Sequence, residues 1–214
     1  MDGFVSQTDE FVGALRERAT RYSLRLDAPQ ISALREYYEQ VMAWNARLHL
    51  VAPCPATEFA TRHVLESLLA LAHLSEGARV ADVGSGAGLP IIPCLIVRAD
   101  LRATLIESSP KKGVFLREAL RRLNLQERAE VISQRFEKIA APEADAVTCR
   151  ALERLTEMFS KLVRWAPRGS TLLLFAGEGL GLEIEKAGLN YQAVHIPESE
   201  RRFLYVVNRR QPEN

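Results

Sequence analysis

The stretch Val80-Ala81-Asp82-Val83-Gly84-Ser85-Gly86-Ala87-Gly88-Leu89-Pro90 decides the fold. Its apolar run through Val83 reads as a strand, three glycines follow in alternate positions, and Pro90 suits the start of a helix. Glycine turns the chain sharply and lets the backbone approach a ligand with no Cβ in the way. The following helix is expected to offer free N–H groups to a bound group. A dinucleotide loop has the spacing G-x-G-x-x-G. Here the spacing is G-x-G-x-G, with Asp82 two positions ahead of Gly84. That carboxylate disfavours a pyrophosphate and suits a ligand carrying an ammonium or hydroxyl groups. A glycine-rich connection with no ligand is the plainer alternative.

Outward from this loop, ARVADV, RATLIE, AEVISQ, DAVTCR and STLLLFA are short apolar runs separated by helical stretches. That alternation predicts βαβ units and a parallel sheet with helices on both faces. NYQAVHIP and RRFLYVVNRR then predict two adjacent strands, a hairpin closing one sheet edge. Glu107 ends the second run, 25 residues after Asp82. An acid there can accept both ribose hydroxyls of an adenosine, so the pair indicates a nucleoside-bearing cofactor at the carboxyl edge of the sheet. Residues 1–75 differ in pattern. Phe11 and Leu15, then Ile31, Leu34, Tyr38 and Val41 after Pro29, then Val64, Leu68 and Leu71 all follow helical spacing. The expected division is a helical appendage over 1–75 and a catalytic sheet over 76–214.

Composition bounds the rest. The 214 residues are 47% apolar and carry a formal net charge of +1, which fits a globular chain and excludes general disorder. No stretch is long and apolar enough for a membrane span. The opening MDGFVSQTDEFVG lacks the basic and apolar regions of a secretory leader. Cys54, Cys94 and Cys149 are widely spaced without a CxxC pair, so no disulfide framework is expected and a reducing cytoplasm fits. His49, His63, His73 and His195 show no metal-ligand spacing.

The pattern resembles the class I S-adenosylmethionine-dependent methyltransferases. Within them it resembles the bacterial small-subunit (16S) ribosomal RNA guanine-N7 methyltransferases, the glucose-inhibited division protein B family. The likeness is carried by Trp44-Asn45, Arg62-His63-Val-Leu-Glu66-Ser67, Asp82 to Pro90, Lys111-Lys112 with Phe115-Leu116-Arg117, and Thr148-Cys149-Arg150-Ala151, in order over residues 40–177. The resemblance implies an α/β fold: a seven-stranded Rossmann-like sheet, mostly parallel with an antiparallel C-terminal hairpin, plus N-terminal helices. It implies S-adenosylmethionine as cofactor, held by Asp82, Gly84, Ser85, Gly86, Gly88, Leu89 and Glu107. In the run Ser133-Gln-Arg-Phe136-Glu137, Phe136 and Glu137 match residues that hold the adenine. Arg150 matches an arginine at the cofactor and target pocket and is the candidate positioning residue. Arg62, His63, Lys111 and Lys112 match the RNA side. The implied partner is small-subunit ribosomal RNA or its assembly particle, with no membrane or metal. Two positions depart from the family: His49 replaces the second asparagine of WNxxxNLT, and Ala176-Gly177 replaces Lys-Gly.

The implied chemistry agrees with two absences. No Asn/Asp-Pro-Pro-aromatic tetrapeptide, the family mark for exocyclic amino acceptors, follows the fourth strand, and no Pro-Cys pair offers a nucleophile for pyrimidine carbon 5. Guanine N7 needs neither. Residues 109–135 hold seven cations (Lys111, Lys112, Arg117, Arg121, Arg122, Arg128, Arg135) against Glu118, Glu127 and Glu130. Such a surplus of four predicts a local RNA footprint, or else a solvated helix face. Lys112 falls in the first turn of its helix and is expected to point over the carboxyl edge. The residues alone leave open another RNA, a protein or a small molecule as acceptor, a nicotinamide enzyme, or a non-catalytic RNA- or cofactor-binding module.

Overall fold

Helix ends in the N-terminal region carry explicit caps. The computed structural model describes residues 6–150 and 155–209; residues 1–5 of the opening stretch, Ala151 and Arg210 lie outside them. Helix α1 (Gln7–Arg18) opens on Ser6, whose hydroxyl accepts from the Asp9 N–H. Helix α2 (Ala28–Leu48) has a reciprocal capping box of Asp27 and Gln30 with Pro29 in its first turn. Its expected face, Ile31, Leu34, Tyr38 and Val41, is buried. Stacking of Phe11 on Tyr38 (centroids 4.5 Å apart) ties α1 to α2.

The third helical segment is less regular than its spacing suggests. It runs from α3 (Ala56–Glu58) through a π-helical stretch (Phe59–Leu65) and α4 (Glu66–Leu68) to a 3-10 turn (Leu69–His73). Between α2 and this segment the Asn45 amide bonds both backbone groups of Val51, while His49 caps α2 at φ +48°. Asparagine and histidine are both enriched in that left-handed region. The His49 departure is therefore a substitution at an exposed helix cap. Trp44 is half-buried, edge-on to Phe115 at 5.9 Å, as a core anchor.

All seven expected strands form: β1 (Arg79–Val83), β2 (Arg102–Ile106), β3 (Ala129–Ile132), β4 (Ala146–Arg150), β5 (Thr171–Gly177), β6 (Tyr191–His195) and β7 (Arg202–Asn208). Helices α5 (Ile91–Val97), α6 (Pro110–Arg122), α7 (Leu155–Trp165) and α8 (Gly179–Lys186) lie between them in sequence. The strand order is β3-β2-β1-β4-β5-β7-β6. Strands β1 to β5 pair in parallel, and β7 runs antiparallel between β5 and β6. The order reverses where β1 meets β4, and in such sheets the crevice for a ligand opens at the carboxyl ends of the strands there.

Alternation along the strands divides the interior. Val80, Leu105, Leu173 and Leu204 share one core with Phe11, Leu34, Tyr37, Phe59 and Leu65, so the N-terminal helices and one sheet face bury the same apolar surface. Ala81, Val83, Val147, Cys149 and Leu172 face the second core with Phe159, Leu162 and Ile184. Each large side chain fully buried in this way contributes about 1.5–3 kcal/mol.

Candidate active site

The glycine loop follows β1 and is held by its own backbone. The Gly84 and Ser85 N–H groups donate to the Ile106 carbonyl at 2.8 and 3.2 Å, and Gly88 N–H donates to the Ser85 carbonyl at 2.6 Å. Ser85 is buried, with its hydroxyl on the Asp82 carbonyl at 3.0 Å. Gly84, Gly86 and Gly88 have φ of +74°, +53° and +88°, which explains why every second residue is glycine. The expectation of free N–H groups at the next helix is corrected here. Helix α5 is only seven residues long and starts beyond Pro90, and the Ile92 N–H in its first turn already donates to the Gly88 carbonyl at 2.7 Å.

The three glycines do different work. A Cβ on Gly86 would meet nothing closer than the Gly84 carbonyl at 3.7 Å, so the space before it is open. One on Gly88 would lie 2.3 Å from Ile92 Cδ1, so that glycine serves close packing of loop on helix. Leu89 is buried beside it.

Two buried carboxylates border the glycine loop, Glu107 at the end of β2 and Asp82 in β1. Glu107, just past β2, accepts from Gly86 N–H at 2.9 Å on Oε2, and from Ser109 N–H at 2.7 Å and the Ser108 hydroxyl at 3.5 Å on Oε1. An ionised carboxylate has about four acceptor sites; Oε2 keeps one for a ligand hydroxyl, and the long Ser108 bond is the one on Oε1 that a second hydroxyl would replace. Asp82 is 0% exposed. Its Oδ1 accepts from the Thr148 hydroxyl at 2.6 Å, and its Oδ2 has no partner. Burial pushes its carboxyl up to about 7, against the lowering effect of the Thr148 hydrogen bond. A buried acceptor left unpaired is costly unless a donor reaches it, and a ligand ammonium is such a donor.

Beside the loop lies a cavity of ≈ 450 Å³ whose lining includes Val83, Gly84, Ile106, Phe136 and Met158. Phe136 is buried edge-on to Trp165 at 5.5 Å, while Glu137 is exposed at the rim. A slot with an apolar wall of Val83, Ile106, Phe136 and Met158 and a polar rim, beside a diol acceptor, fits the flat ring and edge nitrogens of an adenosine. These residues therefore fit S-adenosylmethionine: a slot with one apolar wall, Glu107, open Gly86 and Asp82.

Arg150 sits elsewhere. At the carboxyl end of β4 it is turned away from the adenine slot toward the N-terminal helices. Its guanidinium donates to Ser67 Oγ at 3.1 Å, Glu66 Oε2 at 3.2 Å and the Arg62 carbonyl, and lies 5.5 Å over the Phe175 ring. Arg202 shares the same Glu66 oxygen at 2.7 Å. The expected RNA-side residues divide. Arg62 is exposed but paired with Glu58 at 2.5 Å. His63 packs on Phe59, and burial with the nearby charges of Arg150, Arg62 and Arg202 pushes it down to about 3, so it brings no cation.

The basic surplus of residues 109–135 thins in three dimensions. Arg121 and Arg122 both pair with Glu118, Arg117 bonds Val131 and Ser133, and Arg128 donates to the carbonyls of Leu95, Arg98 and Leu101. Lys111 is exposed and Lys112 half-buried in the first turn of α6, at the carboxyl end of β2. Sequence reasoning missed Tyr37 altogether. This fully buried residue donates its hydroxyl to the Ala87 carbonyl at 2.8 Å. The signal was its neighbour Tyr38, one position along the same amphipathic helix. No group of three or more metal-ligating side chains occurs among the described residues, and no helix among them is long and apolar enough to cross a membrane.

Comparison with known proteins agrees with this geometry. The sheet superposes on a SAM-dependent methyltransferase from Aquifex aeolicus with a TM-score of 0.56 and 21% identity, over 70% of this chain and 92% of that one. It also matches the B. subtilis M1A22 tRNA methyltransferase TrmK, with a TM-score of 0.56 and 15% identity, over 67% and 64% of the two chains. In sequence, the ribosomal RNA small subunit methyltransferase G of Xanthomonas axonopodis pv. citri is 39% identical over 167 residues, 78% of this chain and 77% of that protein. The protein of the same name from Roseiflexus castenholzii is 32% identical over 205 residues, 88% and 87% of the two. A family model described as rRNA small subunit methyltransferase G matches residues 30–208, and the chain belongs to that family.

Proposed function

We propose that this protein transfers a methyl group from S-adenosylmethionine to N7 of a guanine in small-subunit ribosomal RNA, in the cytoplasm. One arrangement supports the cofactor end of this reading: Glu107 bonds the N–H of an open Gly86, and the strand leading into the loop carries Asp82 with a buried, unpaired Oδ2. When bound, S-adenosylmethionine supplies an electrophilic methyl group on a sulfonium. Glu107 would accept ribose hydroxyls, Phe136 and Ile106 would hold the adenine, and Asp82 would pair with the ammonium. Guanine N7 has an exposed lone pair and no proton to lose. The chain's task is therefore to align acceptor with donor and exclude water, and alignment alone supplies about 7–11 kcal/mol of a bimolecular barrier. The position of Arg150 at the carboxyl end of β4 supports a role bounding the acceptor side. The first-turn position of Lys111 and Lys112 in α6, with Lys111 exposed, supports their contact with RNA phosphates beside the cofactor.

The test is methyl transfer from labelled cofactor to stripped 16S RNA and to assembled small subunits, with mapping of the modified base. Label at guanine N7 in either substrate is the expected result. Label on another base or another class of molecule would move the acceptor. Tight binding of S-adenosylhomocysteine without transfer to any substrate would make the chain a cofactor-binding module.

A further inference from the structure

The run Arg62-His63-Val64-Leu65-Glu66-Ser67 converges on one side chain in the sheet. Arg150 Nη1 donates to Ser67 Oγ at 3.1 Å, and Nη2 donates to Glu66 Oε2 at 3.2 Å and to the carbonyl of Arg62. Ser67 in turn donates to the His63 carbonyl at 2.5 Å, which fixes its lone pairs toward the guanidinium. All the partners come from one and a half turns of helix, 83 to 88 residues away in sequence.

The local backbone explains how this is possible. Over Phe59–Leu65 the helix is wound in the π pattern, closing with the Glu66 N–H on the Thr61 carbonyl. In an α-helix that N–H would bond Arg62. The shift to i→i+5 bonding gives the Arg62 carbonyl to Arg150 instead. Single π turns of this kind recur at functional sites because they release a backbone group from the ladder.

The central acid is Glu66, with a side chain 2% exposed. Its Oε2 holds both Arg150 and Arg202, and its Oε1 is buried without a partner. Burial raises its carboxyl while the two arginines lower it. Arg202 lies at the start of β7, opposite Gly177 at the end of β5, so Glu66 spans the carboxyl edge from β4 to β7. The Arg150 guanidinium is pinned from one side by these acceptors and packed on Phe175 from the other.

We infer that Glu66 is a positioning residue for methyl transfer, acting with Ser67 through Arg150. The Arg62–Ser67 run then serves as the seat of that arginine and not chiefly as an RNA contact. A guanidinium free to rotate would sweep the space at the end of β4. Seated on Glu66 and Ser67, it presents one fixed face there. This inference rests on the acceptor-side role proposed for Arg150, and its test separates the two.

The variants are Glu66→Gln, Ser67→Ala, Arg150→Ala and the double variant Glu66→Gln/Arg150→Ala. Steady-state kinetics on small-subunit RNA, S-adenosylhomocysteine affinity by calorimetry and side-chain NMR of 15N-arginine protein are measured for each. Glu66→Gln is expected to lower kcat about ten- to a hundredfold, the scale of a small misplacement at a reacting centre. It should leave S-adenosylhomocysteine affinity within twofold, and speed rotation of the Arg150 guanidinium. In the Arg150→Ala background the same change should cost less than twofold. Ser67→Ala, which keeps the buried ion pair and therefore the fold, should repeat both effects at smaller size. Independent, multiplying losses, or equal falls in kcat and cofactor affinity, would overturn the inference, as would unchanged Arg150 resonances in Glu66→Gln. If the wild-type protein transfers no methyl group, the functional reading fails, and the NMR comparison still decides whether Glu66 and Ser67 seat Arg150.

Discussion

The Tyr37 hydroxyl donates to the Ala87 carbonyl at 2.8 Å, which joins the middle of α2 to the centre of the glycine loop. Tyr37 is fully buried, and burial drives its hydroxyl well above the ordinary tyrosine range, so it stays a donor at any physiological pH. The N-terminal helices thus hold the cofactor loop as well as covering the sheet. Tyr37→Phe keeps the ring and leaves the carbonyl unpaired, a loss of about 1–3 kcal/mol. Thermal melts should show the drop, and calorimetry should show weaker S-adenosylhomocysteine binding. Unchanged affinity would mean that the loop holds its shape without α2.

Gly86 and Gly88 should fail in different ways. Gly86→Val fills the open approach to the loop and should abolish S-adenosylhomocysteine binding, with a fold loss limited to the left-handed backbone cost of about 1–2 kcal/mol. Gly88→Ala drives a Cβ into Ile92 and should lower the melting temperature more than Gly86→Val does. The reverse ranking of the two melting temperatures would contradict the packing role of Gly88.

Asp82 makes cofactor binding depend on pH near neutrality. Its folded value of about 7 lies above the ordinary carboxylate value of 3.8, so between these limits the folded protein holds a proton that the unfolded chain has lost. Stability from this group is complete below about pH 4 and is lost as pH rises through 7. The ionised form pairs with an ammonium, so S-adenosylhomocysteine affinity should rise over the same interval. Asp82→Asn should flatten both curves. An affinity that falls between pH 6 and 8 in the wild type would refute the Asp82 pairing.

Lys111 and Lys112 have no carboxylate partner among the described residues, whereas Arg121 shares Glu118 with Arg122. Lys112→Ala should weaken RNA binding and reduce the salt slope by about one, with cofactor affinity unchanged. Arg121→Ala should do much less. Equal losses in the two variants would restore the broad basic face that the sequence count suggested.

Much of this protein follows from sequence alone. The seven strands, the glycine loop and Glu107 at the end of β2 were legible because each depends on local signals: apolar runs, residues tolerating positive φ, and an acid at a fixed distance. Family membership was legible for the same reason, since its motifs are short and contiguous. Tertiary structure decided which charges are available and which residues cooperate. Of the seven cations over residues 109–135, Arg117 and Arg128 bond groups that only the fold brings near, while Arg121 and Arg122 pair with Glu118 within α6, so a count along the chain overstated the RNA face. Tyr37 and Glu66 acquire their roles from partners 50 and 84 residues away. A buried hydrogen bond depends on where two elements meet, and no periodicity within either element encodes that meeting.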